Sequence, residues 1–246
     1  KAAGIPTFPL EVDAVEAIAQ LARHRELMAA ASKRPLPEWQ RSMAAGTGGI
    51  TTLNEADSLA LLAGAGLPVV RHRLCRSEAE AVAAWRELGP SVVMKGCSRD
   101  VPHKSEHGLV RVGVTGEAEI AGTWRQLSRI MHDLKVADEG VIVAEMVKGR
   151  RELMIGAHRD TQFGPVIVIG DGGKYVEAMP DTALLLPPIA VDDVDRAVAK
   201  LRIAPLFQGV RGEPPLDTAS LAAAVQAIAE LMRSDDTIAS LDANPF

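Results

Sequence analysis

A short apolar run, Val92-Val93-Met94, ends on Lys95; a polar loop from Gly96 to Gly108 follows, and a second apolar run, Leu109 to Val114, comes after it. Apolar runs of this length bounded by polar, glycine-containing segments read as strands. The chain must therefore fold here as strand, loop, strand. Lys95, His103, Lys104 and Ser105 gather at one end of the pair. Such a loop suits phosphate: lysines supply point charges, and serine and backbone N–H groups supply donors. It is not a P-loop, which needs G-x-x-x-x-G-K-[ST] opening a helix. A nucleotide held here is held by another fold.

The rest of the chain alternates helices and strands. Glu11 to Ala31 carries Val12, Val15, Ile18, Ala22 and Leu27 at helical spacing, and Pro35 and Pro37 end that helix. The small, flexible stretch Ala44 to Ile50 reads as a linker, and a domain boundary is placed there, between residues 1–50 and 51–246. Asn54 caps a helix to about Ala63, Leu67 to Val70 reads as a short strand, and Ser77-Glu-Ala-Glu80 is a capping box. Thr115 precedes a helix with Ile120, Trp124, Leu127 and Met131 on one face. Val141 to Val147 and Glu152 to His158 read as strands, and Gly149 between them suggests a hairpin. A buried strand, Pro165 to Ile169, runs into Gly170-Asp-Gly-Gly173. Ala183 to Leu186 is another strand. Asp192 to Leu201 and Asp217 to Met232 are helices, and Ile238 to Asn244 is the last strand. This mixture predicts α+β subdomains rather than one doubly wound sheet.

Composition narrows the function classes. A net charge of −5 argues against nucleic-acid binding, and 3% aromatic residues removes the platforms on which single-stranded bases stack. Cys75 and Cys97 form no C-x-x-C and no ligand spacing with His, so neither a disulfide framework nor a zinc site is expected. The cysteine usage fits a reducing cytoplasm, which is the setting expected; no apolar run is long enough to span a bilayer and no signal peptide is visible. The chain opens on Lys1 rather than Met and stops in what reads as a strand leaving a site. It is expected to be a piece of something longer.

Each candidate group has a plain reading beside its chemical one. Lys95 is a phosphate ligand or a snorkelling surface lysine. His103 is a nucleophile toward phosphorus, its neutral imidazole forming a phosphoramidate, or a solvated loop histidine. Glu145, with Val147 beside it, could receive a purine and its amino group at a strand end; Glu145 and Glu152 are otherwise solvated acids. Gly170-Asp-Gly-Gly173 permits close backbone approach to a ligand, as many glycine loops do. Ser240, Asp242 and Asn244 share one face of a strand. Oxygen ligands so placed suit Mg²⁺, which takes one or two protein oxygens with phosphate and water; Asn-Pro also starts turns.

Taken in order, the stretches Val92-Val-Met-Lys95, His103-Lys-Ser-Glu106, Val143-Ala-Glu-Met-Val147, Phe163-Gly-Pro165, Gly172-Gly173 with Val176-Glu177, Gly209-Val-Arg-Gly212 and Leu241-Asp-Ala-Asn-Pro245 resemble one family. From Leu53 to Phe246 the chain resembles the ATP-grasp domain of the NDP-forming (ADP-forming) acyl-CoA synthetases, relatives of succinyl-CoA synthetase. The resemblance implies an ATP-grasp fold of two α+β subdomains, preceded by the end of a CoA-ligase-like domain. It implies ATP/ADP and Mg²⁺ as cofactors, with CoA bound mainly by other domains of the same enzyme, and a homo-oligomer is compatible with it. Lys95 would bind the α- and β-phosphates, with Ser105 beside them in the loop. Glu145 and Val147 would line the adenine pocket, Glu152 would lie near the nucleotide, and Asn244 would bind Mg²⁺. His103 matches the family's phosphoryl-carrying histidine.

Two departures bear on this. Glu106 stands where the family has Asp, and Leu109 where it has a second Gly, which is expected to stiffen the loop. The family's further metal-binding Asp lies past the Asn-Pro, beyond Phe246. The function implied is acyl-CoA formation with phosphate carried on a histidine. The rival readings are a carboxylate–amine ligase, which needs no His103, and a regulatory or degenerate ATP-grasp module fused to a protein acetyltransferase.

Overall fold

The computed structural model describes residues 6–31, 49, 51–147, 149, 151–173 and 179–246 of the 246-residue chain. The linker stretch at 44–48, Pro35, Pro37, and Val176-Glu177 of the sequence reading lie outside them. Two compact units are present, Lys1–Arg41 and Ser42–Phe246. The first contains α1 (Glu11–Ala31), a helix as its spacing predicts. Val12, Val15, Ile18, Leu21, Leu27 and Met28 on it are exposed.

The second unit opens with α2 (Glu55–Gly64). Asn54 caps it, its side chain accepting from the Asp57 N–H at 2.9 Å. The strand expected at 67–70 instead forms five residues later, as β1 (His72–Cys75). Pro68 lacks the N–H that a paired strand would use, so 67–70 remains a connection. In α3 (Glu78–Leu88), Ser77 accepts from the Glu80 N–H, and the Glu80 carboxylate reaches back to the Arg76 N–H. Then come β2 (Val92–Gly96), β3 (Val110–Val114), α4 (Glu117–Leu134) and β4 (Val141–Glu145). These strands make an antiparallel sheet in the order β1-β4-β2-β3.

Alternation along β4 shows how the sheet is sandwiched. Val141 and Val143 pack with Met94, Ile120, Leu127 and Met131 under α3 and α4. Ile142 and Ala144 point the other way and pack with Cys97 and with Ala56 of α2. A strand covered on both faces is apolar throughout, which is why Val141–Ala144 has no polar alternation.

The remaining strands are β5 (Leu153–Asp160), β6 (Gly164–Asp171), β7 (Thr182–Leu185) and, after three helices, β8 (Ser240–Ala243). They form a second antiparallel sheet in the order β7-β6-β5-β8. The hairpin expected from β4 and β5 is therefore absent. β4 is zipped into the first sheet and β5 into the second, and the chain at 146–152 passes from one sheet to the other. Between β7 and β8 lie α5 (Val191–Val198), the short α6 (Ala204–Phe207), which the sequence reading did not foresee, and α7 (Thr218–Ser234). Helices α5 and α7 cover one face of this sheet through Val194, Val198, Val225, Ile228 and Met232, which meet Ile155, Ile167 and Ile169. Leu62, near the end of α2, belongs to this second core. The mixed α+β fold of two sheets is as expected.

Candidate nucleotide and phosphoryl-transfer site

Strand alternation decides where Lys95 points. Its neighbour Met94 is wholly buried under α3 and α4, so Lys95 emerges on the opposite face, towards α2. There its Nζ meets the Glu55 carboxylate at 2.6 Å. Lys104 reaches the other oxygen of the same carboxylate at 3.2 Å. Glu55 is the first residue of α2, where the helix dipole favours a negative charge. Burial alone would raise its pKa, but the Lys95 and Lys104 ammonium groups outweigh that and hold it below the ordinary glutamate value. All three side chains are at least two-thirds buried: 31% of Lys95, 21% of Glu55 and 14% of Lys104 are exposed.

The polar loop between β2 and β3 is fastened at both ends. At the start, the Cys97 N–H donates to the Gly140 carbonyl, and Cys97, Ser98 and Val101 are buried. At the close, Leu109 is wholly buried, and a Cβ on Gly96 would come 2.8 Å from its Cδ2, so a larger residue there would push Leu109 aside. Leu109 thus closes the loop from within the core. The Arg111 guanidinium donates to the Gly108 carbonyl at 2.8 Å. Between these anchors His103, Ser105, Glu106 and His107 are exposed. The turn is held by backbone bonds from Gly108 to Ser105 and from Leu109 to Lys104.

On the second sheet, β8 exposes Ser240 and Asp242, and Asn244, just past its end, is exposed as well. The Asn244 Oδ1 accepts from the Gly173 N–H at 3.1 Å. Gly173 has φ +80°, and a Cβ there would stand 2.5 Å from the Glu152 carboxylate. Asn244, Gly173 and Glu152 therefore converge from the ends of β8, β6 and β5. Although its side chain is open to solvent on one side, partial desolvation raises the Asp242 carboxyl above its ordinary value.

Glu145 ends β4 and is engaged by Arg71. It accepts from the Arg71 Nε at 2.8 Å and from the Arg71 N–H at 3.2 Å. Those bonds hold its carboxyl below the ordinary value. Val147 is 64% exposed, an apolar surface two residues on. The structure thus groups Lys95 with the His103–Ser105 loop, groups Glu152 with Asn244, and places Glu145 and Val147 at the crossing between sheets. Among the described residues, no three of His, Cys, Asp and Glu form a metal-binding group. Sequence reasoning missed Glu55 and Arg71. The signal for Glu55 was an acid in the first turn of a helix whose cap, Asn54, was recognised.

An ATP-grasp domain family model matches residues 44–246. A 4-hydroxybutyrate–CoA ligase (ADP-forming) of Nitrosopumilus maritimus is 37% identical over 195 residues, 78% of this chain and 28% of that protein. The β subunit of acetate–CoA ligase (ADP-forming) I of Pyrococcus furiosus is 32% identical over 74% of this chain and 79% of the subunit. The chain belongs to the ATP-grasp family of ADP-forming acyl-CoA synthetases. Among solved ATP-grasp structures of this family it is similar to the dinucleotide-forming acetyl-coenzyme A synthetase 1 of Ca. Korarchaeum cryptofilum. That structure holds coenzyme A and Ca-AMPCP, and the match has TM-score 0.76 and 32% identity over 80% of this chain and 87% of that one. A second structure of the same synthetase carries a phosphorylated phosphohistidine segment, with TM-score 0.71 and 30% identity over 79% and 86% of the two chains. This ATP-grasp chain spans about a quarter of the fused ligase and about four-fifths of the separate β subunit.

Proposed function

We propose that this chain is the nucleotide-handling part of an ADP-forming acyl-CoA synthetase. It takes the γ-phosphoryl group of ATP onto His103 and passes it to a site on other domains. The whole enzyme would convert ATP, a carboxylic acid and CoA to acyl-CoA, ADP and phosphate. The observation that carries the reading is His103 itself. Its imidazole is exposed on a loop anchored at both ends, next to Lys104, which Glu55 joins to Lys95.

In this reading Lys95 binds the α- and β-phosphates, and Lys104 and the Ser105 hydroxyl serve the phosphate end. Glu145 and Val147 receive the adenine, and Glu152 and the Gly173 backbone close on the nucleotide. Asn244, with Asp242 on the same face, would hold Mg²⁺. A donor set of one or two protein oxygens fits an ion that completes its shell with phosphate and water. When bound, Mg²⁺ neutralises charge on the phosphates. The lone pair of one imidazole nitrogen attacks the γ-phosphorus. The N–P bond forms as the P–O bond to the β-phosphate breaks, the electron pair leaves with ADP, and the ring proton passes to solvent. Catalysis here is positioning and charge neutralisation.

The same reading makes residues 1–50 the end of a preceding CoA-ligase-like domain and makes the CoA-binding and CoA-ligase domains of the same enzyme the partners. Cys75 and Cys97 are both free and buried, which agrees with a reducing cytoplasm. The test is His103→Ala and His103→Asn in the assembled enzyme. Expected are loss of acyl-CoA formation to background and loss of an acid-labile, base-stable phosphoenzyme. Near-normal turnover in both variants would sink the proposal and favour a ligase that makes its acyl phosphate directly.

A further inference from the structure

We propose that Glu55 is a positioning residue that couples nucleotide occupancy to the His103 loop. This rests on the reading above, in which Lys95 and Lys104 meet phosphate. One carboxylate is shared between two ammonium groups that belong to different parts of the machinery. Lys95 sits in a central strand whose backbone is paired on both sides, so its stem is rooted in the sheet. Lys104 is the residue next to His103 and rides on the loop. Glu55 itself is fixed at the start of a capped helix whose Ala56 packs into the first sheet. The carboxylate is thus a fixed point to which the loop is tied through Lys104.

Two consequences follow from charge. The Glu55 carboxylate competes with incoming phosphate for Lys95, because both are anions at one cation. It also neutralises part of the positive charge that two close lysines would otherwise present. When phosphate takes Lys95, the carboxylate turns its full charge on Lys104. The loop is then held on the nucleotide side, with His103 against the γ-phosphoryl group. Nucleotide in place strengthens the tie, and nucleotide gone loosens it. Glu55 touches no reacting atom; it acts through the lysines.

A merely structural role for Glu55 predicts that its loss weakens nucleotide binding and phosphorylation together. Coupling predicts that they move apart. The experiment measures Mg-ADP affinity by calorimetry and single-turnover labelling of His103 by Mg-ATP, in wild type, Glu55→Gln and Lys104→Gln. Removing the competing anion should tighten ADP about tenfold in Glu55→Gln, since two anions at one cation repel strongly in partly buried surroundings. Labelling of His103 should nevertheless slow at least tenfold. In Lys104→Gln the carboxylate falls wholly to Lys95, so ADP should bind more weakly while labelling also slows. Opposite shifts in affinity with the same loss of rate support the coupling. Parallel weakening in Glu55→Gln, or no change, overturns it. If wild type binds ADP but His103 takes no label, the phosphohistidine reading fails separately. The affinity shifts then still decide whether Glu55 competes at Lys95. Should Glu55→Gln not fold, as judged by circular dichroism, Glu55→Asp keeps the charge but retracts it from Lys104. Labelling should then slow with little gain in affinity, and wild-type rates would overturn the coupling.

Discussion

At the scale of single residues, the site turns on charges that are buried but shared. Lys95→Ala should weaken Mg-nucleotide binding by about 2 kcal/mol, roughly 30-fold, because a charge-assisted phosphate contact is lost. Calorimetric titration checks it, and unchanged affinity would remove Lys95 from the site. The same cluster should make stability depend on acid. Glu55 has a lowered pKa in the folded chain, so its contribution is whole above the ordinary glutamate value and is lost as pH falls through the lowered one. Urea midpoints of wild type and Glu55→Gln should therefore converge as pH drops below the ordinary glutamate range. A constant gap would mean the carboxylate is no more strongly held in the folded state. That Lys95 and the His103 loop lie together was legible in the sequence because their motif is local. Glu55 was not, because its partners lie 40 residues and more away, and only the sheet's alternation brings them to α2. Arg71 was hidden for the same reason, being 74 residues from Glu145.

At the scale of elements, local rules located the helices well. Asn54 and Ser77 cap where their side chains suggest. The failures came where pairing, rather than local pattern, chooses. Two strands close in sequence with a glycine between them satisfy every local rule for a hairpin, yet β4 and β5 are drawn into different sheets by partners far along the chain. One element-level feature was invisible in sequence. The Arg159 side chain from β5 is only 5% exposed and donates to the carbonyls of Met232 at 2.6 Å and Asp235 at 3.0 Å. It satisfies carbonyls at the C-terminal end of α7 that the helix cannot satisfy itself. Arg159→Ala should cost about 3 kcal/mol and lower the melting temperature by roughly 6–12 °C. Differential scanning calorimetry measures this; a shift within 2 °C would show that water replaces the guanidinium.

At the scale of the molecule, the two sheets have separate cores, and the helix that starts the second unit takes part in both. Ala56 packs with Ile142 and Ala144 against the first sheet, while Leu62 packs with Ile155 and Ile167 against the second. The sheets should therefore unfold together. Native-state hydrogen exchange should give β4 and β6 amides the same opening free energy within about 1 kcal/mol. A much lower value for one sheet would mean that α2 does not bind their fates. The helix also marks where such a chain can be cut or joined. The passage at 146–152 looks like the seam between halves, but a break there strands Leu62 and Leu67 without the core they fill.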